Sequence, residues 1–346
     1  MEMASKFNVT PEKQASVPRF FWHQITFKPV EIRDVNLQGK TAIVTGSNTG
    51  VGFETSRQLL DLGISKLILA VRNEEKGKAA SEKLSFGRDS QTTTIEVWKL
   101  DLSSYDSVIA FAEKANSLGH VDLAVLNAGI APVNRVFNAN TGHDEVVQVN
   151  YLSTALLAIL LLPAVKGKGP DHKTPGRIIV VSSEVAAWTK NKQIEATPIL
   201  AELDKPGKVD MVDRMMVSKL LDQFFVNKIS KLVPPSAVTI NTVSPAICWD
   251  TEFNRDHAGT VAGFIVRNVQ RLIGNSSAVG ARMVTDAAVK HGEETHGEFL
   301  SFQRLVPLAS IIYTPEGERI SEQLWKETLA EFAFANVERI LQDIQT

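Results

Sequence analysis

The sequence predicts an α/β fold, a doubly wound parallel sheet of about seven strands with helices on both faces. Two observations predict it. Short apolar segments of strand length recur along the chain, and segments of helical length separate them. A glycine-rich turn, residues 45–52, also follows the first of these segments and leads into a helical pattern. Crossovers between parallel strands are right-handed, which places helices on both faces of the sheet.

The strand and helix patterns alternate regularly from residue 40 onward. The strand patterns are 41–45, 67–71, 94–99, 122–126, 178–182 and 238–243. The helical patterns are 50–63, 74–84, 104–118, 142–165 and 214–232. Residues 1–38 carry aromatic residues between prolines and charges without a long period, so we expect an arm packed on a single domain of residues 39–346.

The composition is that of a globular chain with a large core, since 44% of its 346 residues are hydrophobic and 22% are charged. A net charge of -2 gives no reason to expect nucleic acid or an anionic membrane as a partner. The single cysteine, Cys248, excludes an intramolecular disulfide and fits a reducing cytosol. The first residues lack a signal-peptide pattern, and the longest apolar run, 151–165, is too short to span a bilayer. We therefore expect a cytoplasmic protein in which that run is a buried helix.

The turn at residues 45–52 reads T-G-S-N-T-G-V-G. Gly46 allows a tight turn, Gly50 lets the backbone approach a pyrophosphate at the helix N-terminus, and Gly52 lets the helix pack closely on the strand. Because a strand precedes the turn and a helix follows it, we interpret it as a dinucleotide-binding site of the Rossmann type. The residues expected to bind the cofactor here are Gly46, Ser47, Asn48, Thr49, Gly50, Val51 and Gly52.

The residue after the second strand indicates which dinucleotide binds. An acidic residue in that region would bind the ribose 2'-hydroxyl of NAD, whereas an arginine suits the 2'-phosphate of NADP. Arg72 occupies the place, and Lys76 is a candidate second cation. We therefore favour NADP(H), while Glu74 and Glu75 close by keep NAD as the alternative.

The spacing T-G-x-x-x-G-x-G resembles that of the short-chain dehydrogenase/reductase family. Members of that family have a single Rossmann-type domain, use NAD or NADP and transfer hydride with a Ser-Tyr-Lys-Asn set. The resemblance implies that Asp101-Leu102 contacts the adenine ring and that Asn127-Ala128-Gly129 supports the adenosine side of the cofactor. These segments close the third and fourth strands, and a strand-end turn is the alternative interpretation of each.

The resemblance also implies a catalytic set. Asn150 would hold a proton-relay water, Ser183 would orient the substrate carbonyl, and Lys219 would bind the nicotinamide ribose and lower the pKa of the family's tyrosine. That tyrosine is absent, because Met215 stands in its place. A thioether has no proton to donate, and removal of a positioned general acid typically costs about a hundredfold to ten-thousandfold in rate. If the rest of the sequence did not match the family, we would interpret Asn150 as a polar residue on a helix surface and Ser183 as a helix cap.

The loop after the sixth strand departs from the family pattern too. The family's P-G pair, in a loop that covers the nicotinamide, is Pro245-Ala246 here, followed by Ile247. Alanine is confined to fewer backbone conformations than glycine, so we expect this loop to sit differently. Thr251 is shifted by one residue from the family's threonine. Pro245, Ala246, Ile247 and Thr251 remain candidate contacts of the cofactor.

The strings at 39–41, 181–185 and 295–297 resemble those of longer fungal members, many of which serve secondary-metabolite pathways. In that group Ala186 would commonly be a histidine. Residues 184–213 form a partly apolar insertion, which we interpret as a lid over a hydrophobic substrate or else as a surface helix that fills space. Residues 252–346 form an extension on the substrate side.

The histidines give no metal signal. His291 and His296 lack the spacing that places two ligands on one helix face, so no metal is expected. His143 lies in a polar stretch of the sequence, typical of a helix surface or a loop, and we expect its side chain to be solvated.

Three functions fit this sequence. The first is a non-redox enzyme that keeps the cofactor fold and promotes cyclisation, isomerisation or dehydration of a hydrophobic carbonyl compound. Lys219 could serve there as an acid or base if burial lowered its pKa. The second is an NADPH-dependent ketoreductase with a substitute proton donor, and the third is a catalytically silent cofactor-binding protein. Family members often pair through the helices that hold residues 151–165 and 219–230 here, so a homodimer remains open.

Overall fold

The structure, a computed structural model, describes residues 6–166, 175–251 and 271–345. Its strands, β1 to β8 in chain order, are Thr41–Thr45, Lys66–Val71, Thr94–Lys99, Leu123–Leu126, Gly176–Val181, Val238–Val243, Phe299–Ser301 and Arg304–Val306. They form one sheet in the order β3-β2-β1-β4-β5-β6-β7-β8, in which only β8 runs antiparallel to its neighbour. The prediction of a doubly wound Rossmann-type sheet is confirmed.

The helices alternate with the strands as the apolar pattern predicts. The α-helices of the described ranges, α1 to α11, are Pro11–Gln14, Val17–Thr26, Gly50–Asp61, Glu74–Ser85, Tyr105–Asn116, Ser153–Lys166, Ile199–Asp204, Met211–Ile229, Ser277–Val289, Pro315–Glu331 and Val337–Asp343. A π-helical turn, Val147–Leu152, leads directly into α6, and a 3-10 turn, Glu184–Ala187, follows β5. Further 3-10 turns are Lys192–Glu195, Glu293–Thr295, Ser310–Tyr313 and Ala333–Ala335.

Side chains of each central strand alternate between two apolar cores, one on each face of the sheet. In β1, Ile43 packs into the core formed with α5, α6 and α8, whereas Ala42 and Val44 pack into the core formed with α3, α4 and α9. Successive side chains of a strand point to opposite faces, so a strand that is apolar throughout needs cover on both. This explains why β1 and its neighbours read as continuous apolar runs.

The most apolar helix among the described residues, α6, is buried under the C-terminal part of the chain. The segment Val147–Lys166 has the length and composition of a membrane span, but 94% of its most apolar window is buried inside the protein. Helix α11 lies on α6, where the Lys166 ammonium donates to the Asp343 carbonyl at 3.3 Å, and α10 lies on α8, where the Phe225 and Trp325 rings are 6.2 Å apart. The Tyr151 hydroxyl, just before α6, is 2.6 Å from the Thr328 hydroxyl of α10. A homodimer through α6 and α8 would therefore need the surface that α10 and α11 already cover.

The N-terminal arm packs against the edge of the sheet that carries β7 and β8. Phe20 of α2 has its ring 5.1 Å from that of Trp188 and 6.0 Å from that of Phe302. Further along the arm, the Gln303 side chain accepts a hydrogen bond from the Val30 N–H at 2.7 Å and donates one to the Val30 carbonyl at 2.9 Å. The arm is thus attached by apolar contacts at α2 and, beyond it, by hydrogen bonds from the Gln303 side chain to the main chain of Val30.

Candidate active site

The glycine turn after β1 forms a cradle at the N-terminus of α3. Gly46 and Gly50 have φ angles of 64° and 58°, which glycine adopts at little cost. A Cβ on Gly46 would lie 3.0 Å from the Ala128 Cα, and one on Gly52 would lie 2.5 Å from the Gly46 carbonyl oxygen. Larger residues at these two positions would push the helix away from the strands.

The start of α3 also leaves main-chain amides available. Thr49 precedes the helix without a side-chain cap, whereas the Asn73 and Ser104 side chains cap α4 and α5. The first N–H groups of a helix have no partner within it, and together with the helix dipole they attract an anion. The Ser47 hydroxyl in the same turn is buried without a hydrogen-bond partner among the described residues. These features fit the pyrophosphate of a dinucleotide.

The residues at the ends of β2, β3 and β4 lie along the same edge of the sheet as the glycine turn, because these strands are parallel neighbours of β1. Arg72 is exposed directly after β2 and forms no ion pair with the described residues, and Lys76 is exposed in the first turn of α4. The Asp101 carboxylate accepts a hydrogen bond from the Ser103 N–H at 3.0 Å. Leu102 beside it is buried.

The Asn127-Ala128-Gly129 segment fastens β4 to β1. The Asn127 side-chain amide donates to the Thr45 carbonyl at 2.9 Å, and the Ala128 N–H donates to the Thr45 hydroxyl at 2.9 Å. Both contacts hold the backbone of the glycine turn. These two hydrogen bonds hold the end of β4 against the end of β1. They give a geometric basis for the supporting role that the resemblance implies for this segment.

Asn150 lies within the π-helical turn and is 1% exposed. Its side-chain oxygen accepts from the Ile130 N–H at 2.8 Å, and its side-chain nitrogen donates to the Ile130 carbonyl at 3.0 Å and to the Ser218 hydroxyl at 3.0 Å. The side chain therefore joins the loop after β4 to α8. Because π turns concentrate at functional sites, this geometry supports a positioning role for Asn150.

Ser183 follows the end of β5, and Lys219 lies on α8, which is hydrogen-bonded to that end of the strand. The Ser183 hydroxyl caps the following 3-10 turn, accepting from the Val185 N–H at 3.4 Å, and its carbonyl accepts from the Gln223 side chain at 3.4 Å. The Lys219 ammonium donates to the Val181 carbonyl at 2.7 Å, two residues before Ser183. Ser183 is partly exposed, whereas Lys219 is buried.

Lys219 has a second partner that the sequence interpretation missed. Its ammonium lies 3.1 Å from the Asp222 carboxylate, and both side chains are buried. Burial raises the pKa of Asp222 to about 6, against the lowering effect of the Lys219 charge. The Val181 carbonyl and the Asp222 carboxylate both accept from the Lys219 side chain, which weakens the idea of this lysine as a free base. The sequence does carry a signal for this pair, because Lys219 and Asp222 are three residues apart, and residues at that spacing share a helix face.

Met215 lies on α8 one turn before Lys219 and is partly exposed. Its carbonyl accepts a hydrogen bond from the Ser218 hydroxyl at 2.7 Å. Residues four apart on a helix point to the same side, so the thioether shares the side of α8 that carries Lys219.

None of the three tyrosines in the described chain brings a phenol to this place. Tyr105 donates to the Glu331 carboxylate at 3.1 Å, Tyr151 pairs with a hydroxyl of α10, and Tyr313 accepts from the Leu308 N–H at 3.0 Å. Burial raises the pKa of all three, that of Tyr313 to about 12. Each hydroxyl is engaged with the C-terminal part of the chain.

The loop after β6 holds Ala246 at φ 58°, the left-handed region that favours glycine. An alanine is less stable than a glycine in this region, because its Cβ crowds the backbone there. The Ala246 N–H donates to the Ser244 hydroxyl at 3.0 Å, and that hydroxyl donates to the buried Glu184 carboxylate. Burial raises the pKa of Glu184, which also accepts from Ser301. No pattern in the sequence marked Glu184 as the support of this loop.

The rest of the loop runs from Ile247 back to the glycine turn. Cys248 is buried, and burial raises the pKa of its thiol to about 12, as expected of a structural cysteine. A Cβ on Gly50 would lie 3.5 Å from the Thr251 Cβ. Pro245, Ala246 and Ile247 thus begin a loop whose end, Thr251, adjoins the phosphate cradle.

The insertion of residues 184–213 is mostly anchored in the core. Its buried apolar side chains include Ile194, Ile199, Leu200 and Leu203, and Ala186 is buried as well. The Glu327 carboxylate of α10 accepts from the Ile199 and Leu200 N–H groups, both at 2.8 Å. Trp188 is the part of the insertion that contacts the arm. Residues 252–270, the first part of the predicted substrate-side extension, lie outside the described residues.

The expectation of a solvated His143 is wrong. Its ring nitrogens lie 2.6 Å from the Asp204 carboxylate and 3.2 Å from that of Glu331, with 12% of the side chain exposed. His291 pairs with Asp286 at 2.8 Å, and His296 accepts from the Ile240 N–H at 3.1 Å. No group of potential metal ligands occurs among the residues described.

The fold and the glycine cradle after β1 together define an α/β protein of the Rossmann type. The chain belongs to the short-chain dehydrogenase/reductase family. The family model described as "short chain dehydrogenase" matches residues 40–194. The short-chain dehydrogenase fogG of Aspergillus ruber is 45% identical over 348 residues, which cover 99% of each chain. The short chain dehydrogenase/reductase mfmJ of Annulohypoxylon moriforme is 40% identical over 347 residues, again 99% of each.

Solved structures of low sequence identity share the fold. The oxidoreductase yciK from E. coli superposes with a TM-score of 0.57 at 16% identity, covering 81% of this chain and 100% of its own. An NADPH-bound short chain oxidoreductase from Pseudomonas aeruginosa PAO1, described as containing an atypical catalytic center, has a TM-score of 0.56 at 21% identity and covers 77% and 96%.

Proposed function

We propose that this chain is an NADP(H)-binding enzyme of fungal natural-product biosynthesis that acts on a hydrophobic carbonyl compound by non-redox chemistry. The observation that carries the proposal is Met215, which gives the reaction centre a thioether where the family's proton donor is a phenol. The tyrosines described above are bound elsewhere, which supports the same conclusion. The buried free thiol of Cys248 is consistent with a reducing cytoplasm as the site of action.

The cofactor part of the proposal is supported by the cradle. Gly46, Gly50 and the uncapped start of α3 fit a pyrophosphate, and the exposed Arg72 offers a cation for a 2'-phosphate. The P. aeruginosa protein of the same fold is described as NADPH-bound. When bound, NADPH supplies hydride chemistry, and this chain's own residues would bind and orient it.

The residues beside the cradle suit a carbonyl substrate. The partly exposed Ser183 hydroxyl can donate to a carbonyl oxygen, and the Lys219 ammonium can stabilise negative charge that develops on it. Asp222 holds that ammonium in place. Such a site promotes enolisation, cyclisation or dehydration by orientation and charge stabilisation, neither of which needs a phenol.

Ketone reduction with a substitute donor is the second candidate. Two observations favour it: the fungal relatives carry the name dehydrogenase, and Asp222, with a pKa of about 6, adjoins Lys219 as a titratable group. A proton could pass from Lys219 to the carbonyl oxygen and be replaced through Asp222.

Two measurements test the proposal. The first is fluorescence titration of the protein with NADPH and NADH, in which we expect tighter binding of NADPH. The second is incubation with NADPH and a panel of aromatic ketones and quinones, followed by the absorbance of the reduced nicotinamide and by product mass. Products of unchanged mass, or of mass lower by one water, without NADPH consumption support non-redox chemistry. Rapid NADPH consumption supports the reductase, and bound NADPH with no product points to a silent binding protein.

Met215→Tyr sharpens the distinction. Restoring the phenol should raise NADPH-dependent ketone reduction by about a hundredfold or more, the usual contribution of a positioned general acid. Met216→Tyr is the matched control, since it adds the same phenol one residue along α8 and should give no gain. A loss of ketone reduction in Met215→Tyr would contradict the assignment of Met215 to the donor position.

A further inference from the structure

The N-terminal arm reaches the loop after β6 through one buried polar side chain. Gln24 of α2 is 3% exposed. Its side-chain oxygen accepts from the Ile247 N–H at 3.0 Å, and its side-chain nitrogen donates to the Ile247 carbonyl at 3.3 Å and to the Ile273 carbonyl at 3.1 Å. The side chain thus pairs with both main-chain groups of Ile247, as a neighbouring strand would.

The residue that Gln24 holds is next to the strained position of the loop. Ala246 is kept in the left-handed region, with its N–H bound to Ser244 on one side and Ile247 bound to Gln24 on the other. Ala246 and Ile247 also pack against the cluster that contains Phe20 of the arm. A residue in a disfavoured conformation persists only where its surroundings determine it, and the arm supplies part of these surroundings.

We propose that Gln24 is a positioning residue of the active site, through which the N-terminal arm shapes the binding site for the nicotinamide half of the cofactor. The inference rests on the proposed NADP(H) function. The adenosine half would bind at the other end of the cradle, near Arg72 and Asp101, which Gln24 does not contact. Loss of the Gln24 hydrogen bonds should therefore weaken binding of one half of the cofactor and leave the other unchanged.

The experiment compares two ligands by titration calorimetry: NADPH, and 2'-phospho-ADP-ribose, which lacks the nicotinamide. Gln24→Met keeps the length of the side chain and removes all three hydrogen bonds. We expect about tenfold weaker binding of NADPH, since each hydrogen bond of this kind contributes only modestly to the free energy that holds the site in place. Binding of 2'-phospho-ADP-ribose should be unchanged.

Gln303→Met is the matched control. It removes the same kind of two-way main-chain pairing, here with Val30, from a different place on the arm. Both ligands should bind this variant as they bind the wild type. A similar selective loss of NADPH affinity in Gln303→Met would show that any loosening of the arm has this effect, and would overturn the specific role of Gln24.

The remaining outcomes are distinct. Equal NADPH affinity of Gln24→Met and the wild type overturns the inference, and so does an equal loss of both ligands, which indicates general damage to the fold. A wild type that binds neither ligand refutes the cofactor function itself and the inference with it. Should Gln24→Met fail to fold, Gln24→Glu keeps the acceptor for the Ile247 N–H and loses both donors, and it should show the same selective loss.

Discussion

His143 should make stability depend on pH between about 6 and 10. Burial lowers its pKa, but the hydrogen bonds to Asp204 and Glu331 outweigh burial and raise it to about 9, from 6.5 in the unfolded chain. A raised pKa means that protonation stabilises the folded state. The contribution is complete below the unfolded value, and it is lost as the pH rises through about 9. A difference of about 2.5 pKa units corresponds to about 3 kcal/mol, an upper figure because Glu331 is partly exposed.

The assay is the free energy of unfolding in denaturant at pH 6 and at pH 10. The wild type should lose up to about 3 kcal/mol more than His143→Gln over this range. His23→Gln is the control, because burial and Arg19 lower the pKa of His23, so it is neutral throughout most of the range and should change with pH as the wild type does. Parallel losses in the wild type and His143→Gln would refute the reasoning.

Three further predictions concern the loop, the cofactor and the assembly. Ala246→Gly removes the cost of a left-handed alanine, about 1–2 kcal/mol, but it also gives the unfolded chain more conformational freedom. The net effect should be a rise of about 0.5–1 kcal/mol in the free energy of unfolding, measured in denaturant. Destabilisation would contradict the conformation described for Ala246. Arg72→Ala should weaken NADPH binding about tenfold or more and leave NADH binding unchanged, as fluorescence titration would show; equal effects on both would argue against a 2'-phosphate contact. Light scattering at micromolar concentration should give the mass of a single chain, since α10 and α11 cover α6 and α8, and a dimer would have to use another surface.

The sheet could be predicted because its signals are local. Strands β1, β2, β4 and β5 are buried on both faces over most of their length, so each appears as an apolar run, and the glycine turn lies within eight consecutive residues. The buried strand β6 has polar residues between apolar ones, and the edge strand β3 is mostly half-buried or exposed. β7 and β8 have three residues each, which is too short for a period to appear. The prediction of about seven strands was therefore one short of those in the described residues.

The supports of the site could not be predicted, because they join distant parts of the chain. Gln24 and Ile247 are 223 positions apart, and Glu184 and Ser301 are 117 apart. Neither contact leaves a pattern in a local window of sequence. His143 was misjudged for the same reason, since its partners Asp204 and Glu331 belong to α7 and α10. Asp222 is different, because its spacing of three residues from Lys219 on one helix is a local signal in the sequence.

The cover on α6 has a consequence for synthesis. That helix is complete at Lys166, whereas α11, which packs on it, begins only at Val337. At about 5–20 residues per second the ribosome needs roughly 9–34 s to make the roughly 170 residues between them. During that interval the apolar surface of α6 that α11 covers stays exposed, so a nascent chain that stops before α11 would present chaperones with an uncovered apolar surface.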